Sequence, residues 1–471
     1  MNIEKIENHT IIFKKIFLFT FSTGLLIRLI GAYSLLPSKI DTLFFTLVSL
    51  LGLMLLFTDF FILKKISIKK NILLILFILA LLLSAIVNGP SGLIANFKLI
   101  IWQIIYLFVV FQVGYTVELH ESINTLEKII IISWNILTIL SILMFFGHFS
   151  YVAPLDKFYN GLRIGFVENR LYGVFADPNF AGTVSVAVLL LSVYYILSKK
   201  NFLFIKVTSI ISLPIQFIYI VLSGSRTALI SLVVVAFFGT LFFAYHRGKR
   251  KISSYGISFL LGLIAVLFVF GGEWAIKYSL PKMAQNTPVV FSIKTNSAKH
   301  HDKKTDVTLA RADVDQKDDV SNNRFELWKS SFEIFKSTPL VGTSPRNLMD
   351  YAEKKLPSTF IATKKQTSHN FIFYLLATTG VLGTLPILLF ILIKIFIALR
   401  VLIISKENSY NRFLLDTLVC LAILVSACFL TELVLVNKIG TFLFWLYLGK
   451  VALFSDEFLK KRDVIYETTK R

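Results

Sequence analysis

The chain has 471 residues, of which 55% are hydrophobic and only 16% are charged. Soluble domains carry roughly 45–50% apolar and about 25% charged residues, so this composition excludes a single soluble core as well as disordered and fibrous proteins. The net charge of +21 would suggest a nucleic-acid partner in a soluble protein. In so apolar a chain, basic residues are first expected to set the orientation of the spans in the membrane. Cys420 and Cys428 lie in one apolar run and provide neither a disulfide framework nor a zinc site.

Apolar runs long enough to cross a bilayer recur along the chain. A spanning helix needs about 20 apolar residues, and the sequence predicts about twelve such helices. The first follows Lys14 and Lys15; we interpret it as a retained helix because it is longer than a signal-peptide core and lacks a small-residue cleavage site. The predicted spans are 16–36, 41–63, 71–88, 94–117, 129–147, 180–198, 203–222, 226–245, 255–273, 384–404, 413–432 and 439–454.

Basic residues are distributed unevenly between the two sets of loops that these spans define. The set that includes both termini contains 23 Lys and Arg residues, whereas the short loops of the other set contain four. The positive-inside rule therefore predicts that both termini are cytoplasmic. The predicted fold class is all-α, a polytopic membrane helix bundle with one large extracytoplasmic loop, and the basic clusters are interpreted as topology anchors rather than as nucleic-acid sites.

Hydropathy divides the sequence into three segments. Residues 1–273 hold the first nine spans, 274–368 form the large extracytoplasmic loop, and 369–471 hold an interfacial helix and the last three spans. The loop contains 16 Lys and Arg residues against 10 Asp and Glu residues. This excess of positive charge favours an acidic partner.

Two features stand out inside the large loop. Its middle, 284–320, has the composition of a polar insertion, and the pair His300-His301 within it is interpreted as solvated rather than as a metal site. Beyond the insertion, aromatic residues recur with helical spacing, which predicts an amphipathic helix over 323–337 with Asn323 as its N-cap.

Three motifs begin helices on the predicted outer side of the membrane. In the first, Asp177 is the expected N-cap and Pro178 the first helical residue. The third motif, which contains His369, begins a short interfacial helix. We expect this helix to be broken at Gly380, Gly383 and Pro386 before the tenth span. The motifs are Arg170 to Asn179, Ser223-Gly224-Ser225-Arg226 and Ser368-His369-Asn370.

These motifs together predict an anionic ligand. A helix N-terminus carries partial positive charge and unpaired N–H groups, so it binds anions. Arg170 and Arg226 add full charges at these ends, and Arg324 can join them from the loop. Because a guanidinium group matches phosphate oxygens bidentately, the expected ligand is a phosphate or diphosphate at the outer membrane interface. Taken singly, each motif also fits a structural role as a tight turn, a helix start or a polar cap, so the prediction depends on their convergence.

His369 is the candidate general base. We expect it in the first turn of its helix, where the positive helix end and the arginines favour a neutral imidazole that can accept a proton. The outer segments contain no acidic cluster typical of a catalytic metal site, since Asp318-Asp319 lies in the insertion. The sequence therefore predicts no metal and no cofactor, with arginines neutralising the departing diphosphate.

The motifs resemble those of the O-antigen ligase and polysaccharide polymerase superfamily of bacterial envelope proteins. The resemblance covers about residues 165 to 390, and the order of its motifs along the chain is more specific than any one of them. The residues that carry it are Arg170-x-x-Gly173-x-Phe175-x-x-Pro178-Asn179, Ser223-Gly224-Ser225-Arg226, Asn323-Arg324-x-x-x-Trp328, Pro339-Leu-Val-Gly342, His369-Asn370 and Gly380-x-x-Gly383. The sequence departs from the family at Gly342-Thr-Ser-Pro-Arg346, where a Gly-x-Gly turn is common, and in the insertion.

The resemblance implies a metal-independent, inverting membrane glycosyltransferase of GT-C-like architecture. Its substrate would be an undecaprenyl-diphosphate-linked oligosaccharide on the outer face of the bacterial cytoplasmic membrane. By the same resemblance, Arg226 and Arg324 would hold the diphosphate and His369 would activate the acceptor hydroxyl, which makes these three the catalytic candidates. The substrate-binding candidates are Arg170, Asn179 and Asn370. Membrane lipid and a chain-length regulator are the other partners considered.

Several functions remain open at this stage. Within the superfamily we favour a polymerase of repeat units for capsule or O-antigen, because nothing in the outer loops indicates docking of a lipid core. The alternative is a ligase that transfers finished glycan to a lipid or protein acceptor. Outside it, the candidates are a flippase of lipid-linked sugar and a scaffold of an envelope complex. Transporters place functional charges near the bilayer midplane. We interpret the charges within the spans as paired or snorkelling groups, namely Arg28, Asp59, Lys394, Asp416 and Glu432.

Overall fold

The structure is a computed structural model of the chain. It describes residues 3–153, 162–198, 202–248, 252–287, 308–309, 323–407, 409–429 and 433–469. Most of the predicted insertion, with His300-His301 and Asp318-Asp319, lies outside the described residues, and so does Glu432.

The first part of the bundle consists of apolar helices joined by short connections. Short 3₁₀ turns lie at Gly31–Leu35, Lys69–Asn71 and Val117–Leu119, and π-helical stretches lie at Thr58–Ile62 and Ile105–Val110. The helices are α1 (Ile3–Ile27), α2 (Ser38–Phe57), α3 (Ile72–Val87), α4 (Leu93–Ile104), α5 (Phe111–Gly114) and α6 (His120–Phe146).

A small antiparallel sheet follows α6. Its strands are β1 (Ser150–Val152), β2 (Arg163–Val167) and β3 (Arg170–Gly173), in the order β1-β2-β3. Ser150 pairs with Gly165, and Val167 pairs with Arg170. Glu168 and Asn169, which connect β2 to β3, both have positive φ, the signature of a two-residue type I′ hairpin turn.

The second part of the bundle begins at the first motif. Its helices are α7 (Pro178–Leu197), α8 (Leu203–Leu222), α9 (Arg226–Arg247), α10 (Ile252–Gln285), α11 (Arg324–Ser337), α12 (Leu348–Lys355), α13 (Phe360–Lys364), α14 (Phe371–Ile404), α15 (Tyr410–Phe429) and α16 (Ile439–Thr469).

Twelve helices of the described residues are long and apolar enough to cross a membrane, which confirms the predicted all-α, polytopic class. Among them α7, α15 and α16 are the most buried and α10 is the least. The small sheet, within the part of the chain that the structure describes, was not predicted from the sequence. The centre of the bundle therefore lies where α7, α15 and α16 meet, and the three motifs lie at one end of it.

The first span differs from the prediction. We expected it over 16–36, but the helix is Ile3–Ile27, and residues 31–35 form a 3₁₀ turn. The reason is that Lys14 does not end the apolar segment. Its side chain is buried, and its Nζ lies 2.7 Å from a carboxylate oxygen of Asp59 on the following span. A buried charge that is paired in this way can lie inside a helix bundle.

The tenth span is broken at Gly380, one of the three predicted positions, whereas Gly383 and Pro386 lie inside the helix. Gly380 has φ 58 and ψ −162, a conformation open to glycine alone, so Phe371–Ile404 is two helical segments joined at a kink. Residues 339–344 are joined to the backbone on both sides of this kink by two pairs of hydrogen bonds. The N–H groups of Val381 and Leu382 donate to the carbonyls of Pro339 and Leu340, and those of Thr343 and Ser344 donate to Ala377 and Thr378. Two motifs far apart in sequence are therefore one structural unit.

Candidate active site

Arg170 joins the first two motifs. It is the first residue of β3, placed there by the hairpin turn, and its guanidinium group makes two hydrogen bonds across the site. Nε donates to the carbonyl of Ser223 at 2.9 Å, and Nη2 donates to Oδ1 of Asn179 at 2.6 Å. Arg170 thereby ties the start of α7 to the Ser-Gly-Ser-Arg turn before α9.

The strand that carries Arg170 is anchored to α6. Gly173 has φ 60, and a Cβ at this position would overlap the side chain of Ser141. The same serine Oγ accepts a hydrogen bond from the N–H of Val174 at 3.1 Å. Phe175 is fully buried, with its ring 4.7 Å from that of Trp134. The glycine and the aromatic residue of the first motif therefore fix the position of β3 rather than contact a ligand.

Two of the helix starts are capped by side chains, the first by Asp177 as predicted and the second by Ser225. Asp177 Oδ1 accepts from the N–H of Asn179 at 2.7 Å, with Pro178 as the first residue of α7. Ser225 Oγ accepts from the N–H of Ala228 at 3.2 Å, so Arg226 is the first residue of α9. The two helices begin close together, because a Cβ on Gly182 of α7 would lie 2.9 Å from that of Ala228.

The third motif reaches this end of the bundle through α15. Asn370 caps α14, since its Oδ1 accepts from Ile372 and Phe373, while its Nδ2 donates to the carbonyl of Cys428 at 2.7 Å. Two residues earlier on α15, Ser426 Oγ contacts Oγ1 of Thr183 on α7 at 3.2 Å. The carboxyl end of α15 therefore links the start of α14 to the start of α7.

His369 lies just before α14 and not in its first turn, which corrects the prediction. Asn370 is the N-cap, and His369 has φ 47, a left-handed conformation. Its neighbour Ser368 is buried and accepts a hydrogen bond at 2.7 Å from Ser331 of α11. The half-buried imidazole is thus carried on a backbone that is held on both sides. Fixed backbone around a functional side chain limits the number of orientations that it can take.

The amphipathic helix begins one residue later than predicted, at Arg324. Asn323 has φ 63, and its side chain does not cap the helix, so the capping interaction we expected is wrong. Of its aromatic residues, Trp328 docks on the bundle: its ring stacks on Phe373 of α14 at 5.5 Å and lies 6.4 Å from Phe429 of α15, whereas Phe325 and Phe332 are exposed. Arg324, one turn before Trp328, is thereby carried to the same end of the bundle as the other motifs.

Lys438 is a cation at this end that the sequence analysis did not single out. Its Nζ lies 3.2 Å from the ring centroid of Phe180, the residue after Asn179. With Phe180, Thr183 and Ser426 it lines a small cavity between α7, α15 and the start of α16. The signal available in the sequence was a lone lysine in one of the short, lysine-poor loops, where the topology rule does not require a charge.

This end of the molecule therefore combines the starts of three capped helices with cationic side chains. α7, α9 and α14 all begin here, so their partial positive charges add to those of Arg170 and Arg226. Both arginines are half-buried, which leaves part of each side chain accessible. Such an arrangement can bind an anion and stabilise negative charge that develops on it. Within the described ranges, His, Cys, Asp and Glu form no group of three that could hold a metal ion.

Comparisons with known proteins place these motifs in a family context. The family model described as "O-Antigen ligase" matches residues 211–388, a segment that contains Arg226, Arg324 and His369 but not Arg170. A curated protein named ComP-specific O-oligosaccharyltransferase, from Acinetobacter baylyi, is 24% identical over 335 residues, which are 70% of this chain and 54% of that protein. The chain thus spans about half the length of this relative. The resemblance to the O-antigen ligase and polysaccharide polymerase superfamily is confirmed by these two matches.

Proposed function

We propose that this protein is a membrane glycosyltransferase of the ligase type, which transfers an assembled glycan from an undecaprenyl-diphosphate carrier to an acceptor hydroxyl group. The comparisons support a membrane enzyme that transfers glycans, and they favour the ligase alternative over the polymerase that we preferred from the sequence. The single observation that carries the proposal is the pair of hydrogen bonds from Arg170 to Ser223 and Asn179, because they unite two motifs on one anion-binding end.

The proposed chemistry uses residues of that end only. The acceptor oxygen forms a bond to the anomeric carbon while the bond from that carbon to the diphosphate oxygen breaks, and the electron pair leaves with the lipid diphosphate. His369 takes the acceptor proton. Arg226 and Arg324 stabilise the charge that develops on the leaving diphosphate, with Arg170, Asn179 and Asn370 shaping the site. Attack opposite the leaving group inverts the anomeric centre, and no metal ion takes part.

The location of this reaction is part of the proposal. The basic loops predict that the helix starts at Pro178, Arg226 and Phe371 face outward and that both termini are cytoplasmic. The acceptor is the least defined element. Because the curated relative is named an O-oligosaccharyltransferase specific for ComP, we include a protein hydroxyl group as well as a lipid core among the candidate acceptors.

The charges inside the spans support an enzyme rather than a transporter. Lys14 pairs with Asp59 at 2.7 Å, and Arg28 pairs with Asp41 at 2.6 Å. Asp416 contacts Arg412 and Lys450 within α15 and α16. These groups are consistent with the structural ion pairs that we predicted, whereas a transport pathway is expected to place its charges around a central substrate site.

The decisive experiment is transfer from a synthetic undecaprenyl-diphosphate oligosaccharide by the purified full-length protein, with and without a chelator. We expect His369→Ala and Arg226→Ala each to reduce the rate by about 10²–10⁴-fold. Arg247→Ala, at the other end of α9, is the matched control and should leave the rate unchanged. Full activity in both site variants would overturn the proposal, and a strict requirement for a divalent ion would overturn its metal-free form.

A strain without this protein separates ligase from polymerase. A ligase predicts that long glycan chains accumulate on the carrier while acceptors stay unmodified. A polymerase predicts single repeat units that are still attached to the acceptor. Accumulation of carrier-linked repeats on the cytoplasmic leaflet would instead indicate a flippase, and normal glycan in the His369→Ala strain would indicate a scaffold.

A further inference from the structure

A polar cavity of about 480 Å³ lies at the end of the bundle opposite to the motifs. It is enclosed by the first turn of α6, the last turn of α7, the first turns of α15 and the middle of α16, and among its lining residues are His120, Asn124, Asn411, Arg412 and Glu457. Its volume falls within the range of about 300–1,000 Å³ that is typical of small-molecule sites.

The wall of this cavity is built around a buried ion cluster. Glu127 accepts hydrogen bonds from Arg412, Tyr195 and Tyr447, and Lys450 lies within ion-pair distance of Glu127 and Asp416. Three of the five N–H donors of Arg412 are used on these two carboxylates, so donors remain for a ligand. Among the described residues, the buried Nε2 atom of His120 has no hydrogen-bond partner.

An apolar groove of about 350 Å³ continues from the cavity. Leu197 and Asn411 line both, so the two spaces are adjacent. The groove runs between α7, α9 and α15, and on α9 its lining extends from Leu232 to Phe243. At 1.5 Å per residue this is about 16 Å, which is about half of the roughly 30 Å hydrocarbon core. The depth matches one leaflet, the reach of a phospholipid acyl chain rather than of a carrier lipid that crosses the bilayer.

We propose that the cavity and the groove together form a binding site for one phospholipid with a phosphate and an amine in its headgroup, in the leaflet opposite to the transfer site. One of its two acyl chains occupies the groove between α7, α9 and α15, and the other lies in the surrounding leaflet. The phosphate accepts hydrogen bonds from Arg412, His120 and Asn411, and the ammonium group lies toward Glu457. The lining carries both signs of charge, which favours a zwitterionic headgroup over a purely anionic one. This site is independent of the proposed glycan transfer.

Native mass spectrometry of the full-length protein, released from membranes that contain equal amounts of phosphatidylethanolamine and phosphatidylglycerol, tests the proposal. We expect one phosphatidylethanolamine to be retained per chain. Ala236→Phe, which fills the groove, should reduce retention by about tenfold. Ile230→Phe, on the lipid-exposed side of the same helix, is the matched control and should retain the lipid.

His120→Leu leaves the groove intact and keeps the test valid if the groove variant does not fold. It should reduce retention of phosphatidylethanolamine by about tenfold, because it removes a donor to the phosphate. Equal retention by the wild type and both variants would overturn the site. Equal retention of phosphatidylglycerol and phosphatidylethanolamine by the wild type would overturn the assignment of the headgroup.

Discussion

The two ends of the helix bundle both carry arginines, but different groups hold them. At the end formed by the starts of α6 and α15, Arg412 donates to the carboxylates of Glu127 and Asp416. At the motif end, Arg170 donates to a backbone carbonyl and to the amide oxygen of Asn179. Charges buried in ion pairs stabilise a particular packing of helices, and the two contacts of Arg170 fix its position between the first two motifs. The two ends therefore differ in the contacts that position their arginines: two carboxylates for Arg412, and a carbonyl and an amide oxygen for Arg170.

The largest expected effect is on stability, at the ion cluster. Glu127→Ala leaves Arg412 and Lys450 buried without this carboxylate, which costs about 3–5 kcal/mol. We expect a strong decrease in the thermal midpoint of the purified protein and in its abundance in membranes. Glu121→Ala, an exposed acid on the same helix, is the control. Equal midpoints for the two variants would show that the cluster does not hold the bundle together.

The next effect is on activity, at the motif end. Arg170→Ala removes the link between Ser223 and Asn179, and misplacement of catalytic groups by about 1 Å can cost roughly 10²-fold in rate. We expect a loss of that size in glycan transfer with little change in thermal midpoint. Arg163→Ala, in the neighbouring strand, should retain activity. Arg170→Lys should not restore the rate, because an ammonium group cannot span the same two acceptors. If the lysine variant were fully active, a bridging role for Arg170 would be wrong.

A smaller stability effect is expected at the break of the tenth span. Gly380→Ala places a Cβ against the backbone of Leu340 in a conformation that only glycine adopts readily, at a cost of about 1–3 kcal/mol. Gly271→Ala, where the structure shows open space, should be neutral or slightly stabilising. Thermal unfolding of both variants in the same detergent measures the difference. Similar midpoints would mean that the contact between the two motifs contributes little.

The smallest expected effect is an increase in stability at Ser344. Ser344 has φ 66, and among the described residues its buried Oγ has no hydrogen-bond partner. Ser344→Gly relieves the backbone strain and removes the unpaired hydroxyl group, so we expect the protein to be stabilised by about 0.5–1 kcal/mol. Ser344→Ala keeps the strained backbone but removes the hydroxyl group, and comparison of the two midpoints assigns the gain to backbone or side chain. A lower midpoint for the glycine variant would contradict this account.

Much of the fold could be predicted from local patterns. The twelve spans, the caps at Asp177 and Ser225 and the break at Gly380 all follow from interactions within a few residues. A contact with a distant part of the chain explains one wrong prediction, and a local cap explains another. Lys14 is inside the first helix because Asp59 neutralises it, and His369 lies outside its helix because Asn370 takes the cap. The turn between β2 and β3 also depends on local conformation, since Glu168 and Asn169 both have positive φ.

The sequence by itself determined the membrane class, the starts of α7 and α9 and the residue types that can bind a diphosphate, because hydropathy, capping and charge act over short distances along the chain. Only the tertiary structure decided which of these residues meet. Arg170 reaches Ser223 across 53 positions, and Asn370 reaches Cys428 across 58. Such contacts depend on how the helices pack around α15, and packing is set by the side chains of many helices at once rather than by any local pattern.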